Sequence, residues 1–291
     1  MTELRFDGRV AAITGAGGGL GRAYAHLLAA RGAHIVVNDL GGAVDGTASG
    51  GSAAVTVVAE IVASGGSAVA DANNIATVEG GKAVVQTALD HFGRLDIVIN
   101  NAGILRDGTL HKMSADNFDS VVAVHLRGAF YVTQPAFTHM REQGYGRIVN
   151  TTSAAGLYGN FGQVNYSSAK MGLVGMGKSI AVEGAKYNIK ANVIAPVAVS
   201  RMTASLMTEE MKKMTPEQVA PVVAYLSHED CAISGQILSA YGGHVGRVFV
   251  GETRGLNKPD LTVEDVADNL DQILNQDGYL TPETLSESMQ L

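Results

Sequence analysis

The sequence predicts an α/β fold: a doubly wound parallel sheet in a single domain, with a helical C-terminal extension. Three observations predict it. Short runs rich in Val and Ile recur, amphipathic stretches separate them, and a glycine-rich turn follows the first run. Apolar runs without polar alternation mark strands covered on both faces. Their alternation with helix-period segments implies βαβ units.

Residues 9–14 read as the first strand and 21–30 as the helix that follows. Further strands are expected at 34–38, 67–71, 95–100, 146–151 and 190–195, with 236–240 as a candidate seventh. Helices are expected over 56–64, 79–92, 114–143 and 166–187, with Ser114 capping the longest. Residues 39–52 read as a Gly-rich loop after the second strand. After Leu238 the alternation stops. The reading therefore divides the chain into a domain over 1–240 and an extension over 241–291 packed on it. One helix, 263–274, is expected there, with Thr262 as its cap.

A chain of 291 residues with 46% hydrophobic content is enough for one large core. The formal charge of −7 argues against nucleic acid and anionic membrane as partners, since both select basic surfaces. Cys231 is the single cysteine, so neither an internal disulfide nor a cysteine metal cluster is expected. No apolar run is long enough to span a bilayer. Met1 to Arg9 lacks a secretory pattern, and Ser288-Met289-Gln290-Leu291 is not the peroxisomal Ser-Lys-Leu signal. The expectation is a cytoplasmic protein.

Thr14-Gly15-Ala16-Gly17-Gly18-Gly19-Leu20-Gly21 lies between the first strand and its helix. A glycine loop alone is a weak signal, but here the strand and helix context is right. Gly15, Gly17, Gly19, Leu20 and Gly21 form a Rossmann-type cradle in which backbone approaches a pyrophosphate at a helix N-terminus. Asp39 stands 20 residues after Gly19, at the end of the second strand. A carboxylate there accepts from adenosine ribose hydroxyls and repels a 2′-phosphate. No basic residue stands at Gly18 or Leu40, so NAD is expected over NADP. Asn100-Asn101-Ala102-Gly103 ends the fourth strand, where small residues permit close approach of a flat ring.

Tyr166 and Lys170 are four residues apart on an expected helix and share a face. Ser153 follows the fifth strand, and all three fall near carboxyl ends of strands, where open α/β sheets bind ligands. A free tyrosine, with a pKa of about 10, is a poor base at neutral pH. A nearby ammonium and a positive nicotinamide ring both favour phenolate. Lys170 supplies that ammonium, and Ser153 holds a substrate oxygen against Tyr166. The expectation is hydride transfer between a secondary alcohol and NAD.

In this combination the chain resembles the short-chain dehydrogenase/reductase family over residues 6–240. Segments such as Val37-Asn38-Asp39-Leu40-Gly41-Gly42, Val124-His125-Leu126-Arg127-Gly128 and Ser200-Arg201-Met202-Thr203 resemble one subgroup. These are the (3R)-hydroxyacyl-CoA dehydrogenase domains of peroxisomal multifunctional enzymes type 2, also called 17β-hydroxysteroid dehydrogenase type 4. The resemblance implies NAD-dependent oxidation of a (3R)-hydroxyacyl-CoA by a homodimer paired through the two long helices; a homotetramer is the other assembly. It places His125 where many family members have a catalytic Asn, either to carry or orient a relay water or as a packed structural His. It places Asn74 where an Asp often binds adenine, Pro196 in the cofactor-binding segment Ile194-Ala195-Pro196 whose Ile194 backbone contacts the nicotinamide carboxamide, and Thr203 at the phosphates. Arg106, His111, Lys112 and Arg201 are the cations available to CoA phosphates. The alternatives are a dehydrogenase of CoA-free steroid or other secondary alcohols, and a nucleotide sensor without activity.

Overall fold

The computed structural model describes residues 3–47, 52–200 and 208–288. Eight strands form one sheet in the order β3-β2-β1-β4-β5-β6-β7-β8. They are β1 (Val10–Thr14), β2 (His34–Asn38), β3 (Ser67–Asp71), β4 (Ile97–Asn100), β5 (Gly146–Thr151), β6 (Ile189–Val197), β7 (Ile237–Tyr241) and β8 (His244–Val248). The first seven run parallel. Strand order reverses between β1 and β4, so the crevice for ligands opens beyond Thr14 and Asn100.

Both faces are covered, which is why β1, β4 and β5 are buried at every position. One face packs α1 (Gly19–Ala30), α2 (Ala53–Ala63) and α8 (Ala220–Ser227) through Leu28, Ile61 and Val223. The other packs α3 (Val78–Phe92) and α5 (Gly128–Gln143) through Val84, Val85, Val132 and Met140. α7 (Val164–Gly184) also lies on that second face and adds Ala181 to its core. Local chemistry sets the helix ends. Thr77 caps α3 by accepting from the Gly80 N–H at 3.0 Å, and Gly93 ends it in the left-handed region. Ser114 caps α4 (Ala115–Val122) by accepting from the Asn117 N–H at 3.1 Å, as expected.

Five elements depart from expectation. The helix expected over 114–143 is continuous but not uniform: one π-turn, Ala123–Arg127, joins α4 to α5 and contains His125. A short helix, α6 (Ala154–Tyr158), and α8 were not legible, the first because a single turn carries no period. The helix expected over 263–274 breaks at Asn269 into α9 (Val263–Asp268) and α10 (Leu270–Leu274). β8 was missed altogether. Gly242 and Gly243 both take positive φ, 52° and 84°, which is the type I′ geometry of a two-residue hairpin. The loss of alternation after Leu238 is therefore a hairpin, and β7 and β8 close that edge of the sheet.

At the amino ends of the strands lies a buried polar cluster. Arg147 is 1% exposed, and its guanidinium donates to the carbonyls of His228, Glu229, Gly146 and Asn188 at 2.8–3.1 Å. Its face stacks on Tyr145 at 4.3 Å, and Arg9 covers the same ring at 3.8 Å. The buried Asp96 carboxylate is gripped by Arg94 at 2.6 and 2.7 Å and by Arg9 at 3.2 Å.

The chain divides into two compact units, Met1–Arg247 and Val248–Leu291. In the second, Glu252 and Leu280 exchange two backbone hydrogen bonds, and Phe249 stacks on Tyr279 at 5.5 Å. Thr262 and Asp265 form a capping box at α9. The unit ends with α11 (Leu285–Ser288).

Candidate active site

A cleft of about 500 Å³ opens at the β1/β4 crossover. Its walls include Gly15, Gly19, Leu20, Asp39, Asn74, Asn101, Ala102, Gly103, His125, Ser153, Tyr166, Lys170 and Pro196. The structure thus brings together most of the residues singled out in the sequence. Gly17 and Gly21 are exceptions: neither lines the cleft. The Gly17 N–H donates to Asp39 Oδ2 at 2.8 Å, and Gly21 abuts the Gly15 carbonyl and the Asn101 amide. Their role is to shape the cradle from behind. Thr203 and Arg201 lie outside the described residues.

The cradle is sterically tight. A Cβ on Gly15 would stand 2.7 Å from Ala102 Cα, and one on Gly17 would stand 2.7 Å from Asp39 Oδ2. Asp39 also accepts from the Gly41 N–H at 2.8 Å, so both carboxylate oxygens are fixed by backbone before any ligand arrives. Two further residues escaped the sequence reading. Thr14 Oγ1 accepts from the Asn101 and Ala102 N–H groups at 3.0 and 3.1 Å, and Asn101 Nδ2 donates to the Thr14 and Gly15 carbonyls. These bonds lock the two sides of the crossover. Asn73 shares the adenosine-side wall with Asn74, whose Oδ1 accepts from the Ala76 N–H at 3.0 Å. Only the terminal Thr of β1 hinted at any of this. The fit to a dinucleotide rests on this arrangement: a cradle that side chains would fill, a fixed carboxylate, and an amide-lined wall.

At the other end Ser153 caps α6, accepting from the Ala155 N–H at 3.2 Å, and shares the cleft wall with Tyr166. Lys170 is 3% exposed and donates from Nζ to the Thr151 carbonyl at 2.6 Å. Nζ lies 5.5 Å from the centre of the Tyr166 ring. Burial lowers the Lys170 ammonium to about 7. The Tyr166 phenol is perturbed as well. Burial raises it above its ordinary value; the Ser153 hydroxyl offsets part of this, and Asp107 adds to the rise. Lys170 is itself dehydrated and bonds a carbonyl rather than the phenol oxygen.

His125 packs edge-on against Tyr166, ring centres 5.1 Å apart. Burial, reinforced by Lys170, lowers its imidazole to about 3, so it is neutral throughout the ordinary pH range. Nε2 lies 2.8 Å from the Ile104 carbonyl and 3.0 Å from the Ile104 N–H; either tautomer finds a partner on the Ile104 backbone. Nδ1 is buried and has no partner among the described residues. Gly103 is explained by this ring, because a Cβ there would stand 2.2 Å from His125 Cε1. Asn165 was also missed. Its buried amide donates to the carbonyls of Arg106 and Asn117 at 2.8 and 3.2 Å and accepts from the Tyr166 N–H at 2.8 Å. It anchors the first turn of α7, which carries the tyrosine.

A doubly wound sheet with a dinucleotide cleft at its crossover, and Ser, Tyr and Lys converging at the cleft, defines a nicotinamide-dependent oxidoreductase. The description "short chain dehydrogenase" matches residues 9–213, and the chain belongs to that family. It is 53% identical to a short-chain type dehydrogenase/reductase of Mycobacterium tuberculosis over 93% of this chain and 95% of that one. It is 50% identical to the mouse peroxisomal multifunctional enzyme type 2 over 99% of its length, but spans only 39% of that protein. Among solved structures, the full-length multifunctional enzyme type 2 of Drosophila melanogaster matches with a TM-score of 0.83 and 40% identity. That match covers 99% of this chain and 49% of the other.

Proposed function

We propose that the protein oxidises a (3R)-hydroxyacyl-CoA to the 3-ketoacyl-CoA, with NAD as the hydride acceptor. The observation that carries this is the convergence of Ser153, Tyr166 and Lys170 on one cleft whose far end presents the fixed Asp39 carboxylate. The thioester substrate and its stereochemistry rest on likeness to the multifunctional enzymes over nearly the whole chain. The choice of NAD rests on Asp39, which repels a 2′-phosphate.

When bound, the dinucleotide supplies the two-electron acceptor and a positive ring. Ser153 Oγ hydrogen-bonds the substrate oxygen and holds it beside Tyr166 Oη. Tyr166 Oη takes the hydroxyl proton as the carbonyl forms. Burial makes the phenol harder to ionise, so the base form needs positive charge at the site. Lys170, anchored by Thr151, is positioned to hold ribose hydroxyls and contribute part of that charge. His125 is neutral and supports the tyrosine by packing; its unpartnered Nδ1 suits a relay water.

A second reading, oxidation of a CoA-free secondary alcohol such as a steroid, is favoured by two observations. Arg106, which with Lys170 lines the cleft, is already paired with Asp116 at 2.9 Å. Leu110, Tyr158 and Phe161 expose large apolar surfaces on the segments after β4 and β5. NADH formation from (3R)- and (3S)-hydroxyacyl-CoA esters and from CoA-free alcohols separates the readings. Turnover confined to R-thioesters supports the first; turnover only without CoA replaces it with the second. We also infer a homodimer, because Phe118, Phe130, Met171 and Val182 leave apolar side chains exposed on α4, α5 and α7.

A further inference from the structure

We propose that Arg106 is a positioning residue that latches the segment 43–47 across the dinucleotide cleft and so sets how long the coenzyme stays bound. The inference rests on the dinucleotide reading above. Gly42, Ala43, Val44 and Gly46 line the cleft on the side that faces Ile104 and Arg106. The segment folds on itself: the Ala43 N–H donates to the Thr47 carbonyl at 2.8 Å and the Gly46 N–H to the Ala43 carbonyl at 3.0 Å. Asp45 Oδ1 accepts from the N–H and hydroxyl of Thr47. Asp45, Gly46 and Thr47 are exposed, so apolar burial contributes little to holding the segment down.

Its attachment to the body is polar. The Leu105 N–H donates to the Val44 carbonyl at 2.9 Å, and Arg106 Nε donates to the Asp45 carbonyl at 3.0 Å. The arginine is itself braced, since Nη1 donates to Asp116 Oδ2 at 2.9 Å and to Ser120 Oγ at 3.0 Å. Its own carbonyl accepts from the buried Asn165 amide, the residue that also holds the Tyr166 N–H. One residue therefore ties the exposed segment to α4 and to the start of the catalytic helix. A guanidinium suits this task because its rigid fork reaches a carbonyl and a carboxylate at once; a lysine ammonium is a point charge without that fork.

The test uses the full-length protein and NADH. Release is followed by the loss of bound NADH fluorescence on adding excess NAD, at two salt concentrations, and amide exchange is followed in peptides covering 40–47 and 104–106. For Arg106→Ala we expect release about fivefold faster, the size of one net hydrogen bond. We expect faster exchange in both peptides, and a salt dependence of release unchanged from the parent. Asp116→Asn, which removes the brace at an exposed side chain, should act in the same direction more weakly, and stands in if Arg106→Ala fails to fold. Release within twofold of the parent, with both peptides equally protected, overturns the latch. Faster release with unchanged exchange and a shallower salt dependence overturns it too, because Arg106 would then be gripping coenzyme phosphate directly. If the parent protein binds no NADH, the dinucleotide reading itself fails and the latch falls with it.

Discussion

At the scale of single residues, the proposed catalytic group and the residues packed on it make three separable predictions. Tyr166→Phe keeps the ring that packs on His125 and loses only the hydroxyl, so it should bind NADH with near-parental affinity while turnover falls at least about a hundredfold, the low end for a lost general base. Unchanged turnover, read as NADH formation, would refute the proposed proton transfer. Gly103→Ala pushes a methyl into the His125 ring and should cost about 1–3 kcal/mol in urea unfolding. The same substitution in a His125→Ala background should cost much less, because the two sites share one clash. The third concerns pH. His125 has an unfolded value near 6.5 and a folded value of about 3. Between those values the unfolded chain binds a proton that the folded chain does not, so stability falls as pH falls, by about 1.4 kcal/mol per unit from this group. His125→Asn should flatten that part of the stability curve, measured as urea midpoints from pH 6.5 to 4; an unaltered slope would mean the imidazole is not held neutral.

Elements show where the sequence was informative and where it was not. β2, β3 and β5 were legible to the residue, since apolar runs bounded by turns leave little freedom. The glycine loop, Asp39, Ser153, Tyr166 and Lys170 were legible because each needs a particular residue type at the end of a strand or on one helix face. The π-turn was not: widening one helical turn changes no residue type, and only the buried polar His125 within an otherwise amphipathic helix signals it. Asn165 and Thr14 were hidden for another reason. Their partners are backbone groups from distant segments, and backbone leaves no mark on sequence. Capping gives the test at this scale. Thr77 caps α3 and also donates to the Asn74 carbonyl at 3.0 Å, so Thr77→Ala should cost about 1 kcal/mol and weaken NADH binding by loosening the wall around Asn74. Calorimetric unfolding and a fluorescence titration read the two effects; loss of stability with unaltered affinity would detach Thr77 from the site.

For the whole molecule, the inferred dimer is the first matter to settle. Phe130 is 52% exposed on α5, and a charge there should split a dimer whose interface uses that face. Phe130→Glu should therefore sediment as a monomer where the parent sediments as a dimer; two identical profiles would move the interface elsewhere. The second matter is the pole opposite the cleft. Arg147→Met leaves four carbonyls short of a donor, those of Gly146 and His228 buried, and should destabilise the fold by about 3 kcal/mol, with kcat unaltered at temperatures where the variant stays folded.

That last expectation has a historical counterpart. Arg147 holds carbonyls on β5, before β6 and after α8 at one rim of the sheet, while the cleft proposed to take substrate and coenzyme opens at the other. Loops at the chemical rim are joined to strands whose opposite ends are already secured. A lineage can lengthen, shorten or recolour those loops and acquire a new acyl or alcohol preference, while the guanidinium keeps the scaffold standing during the experiment.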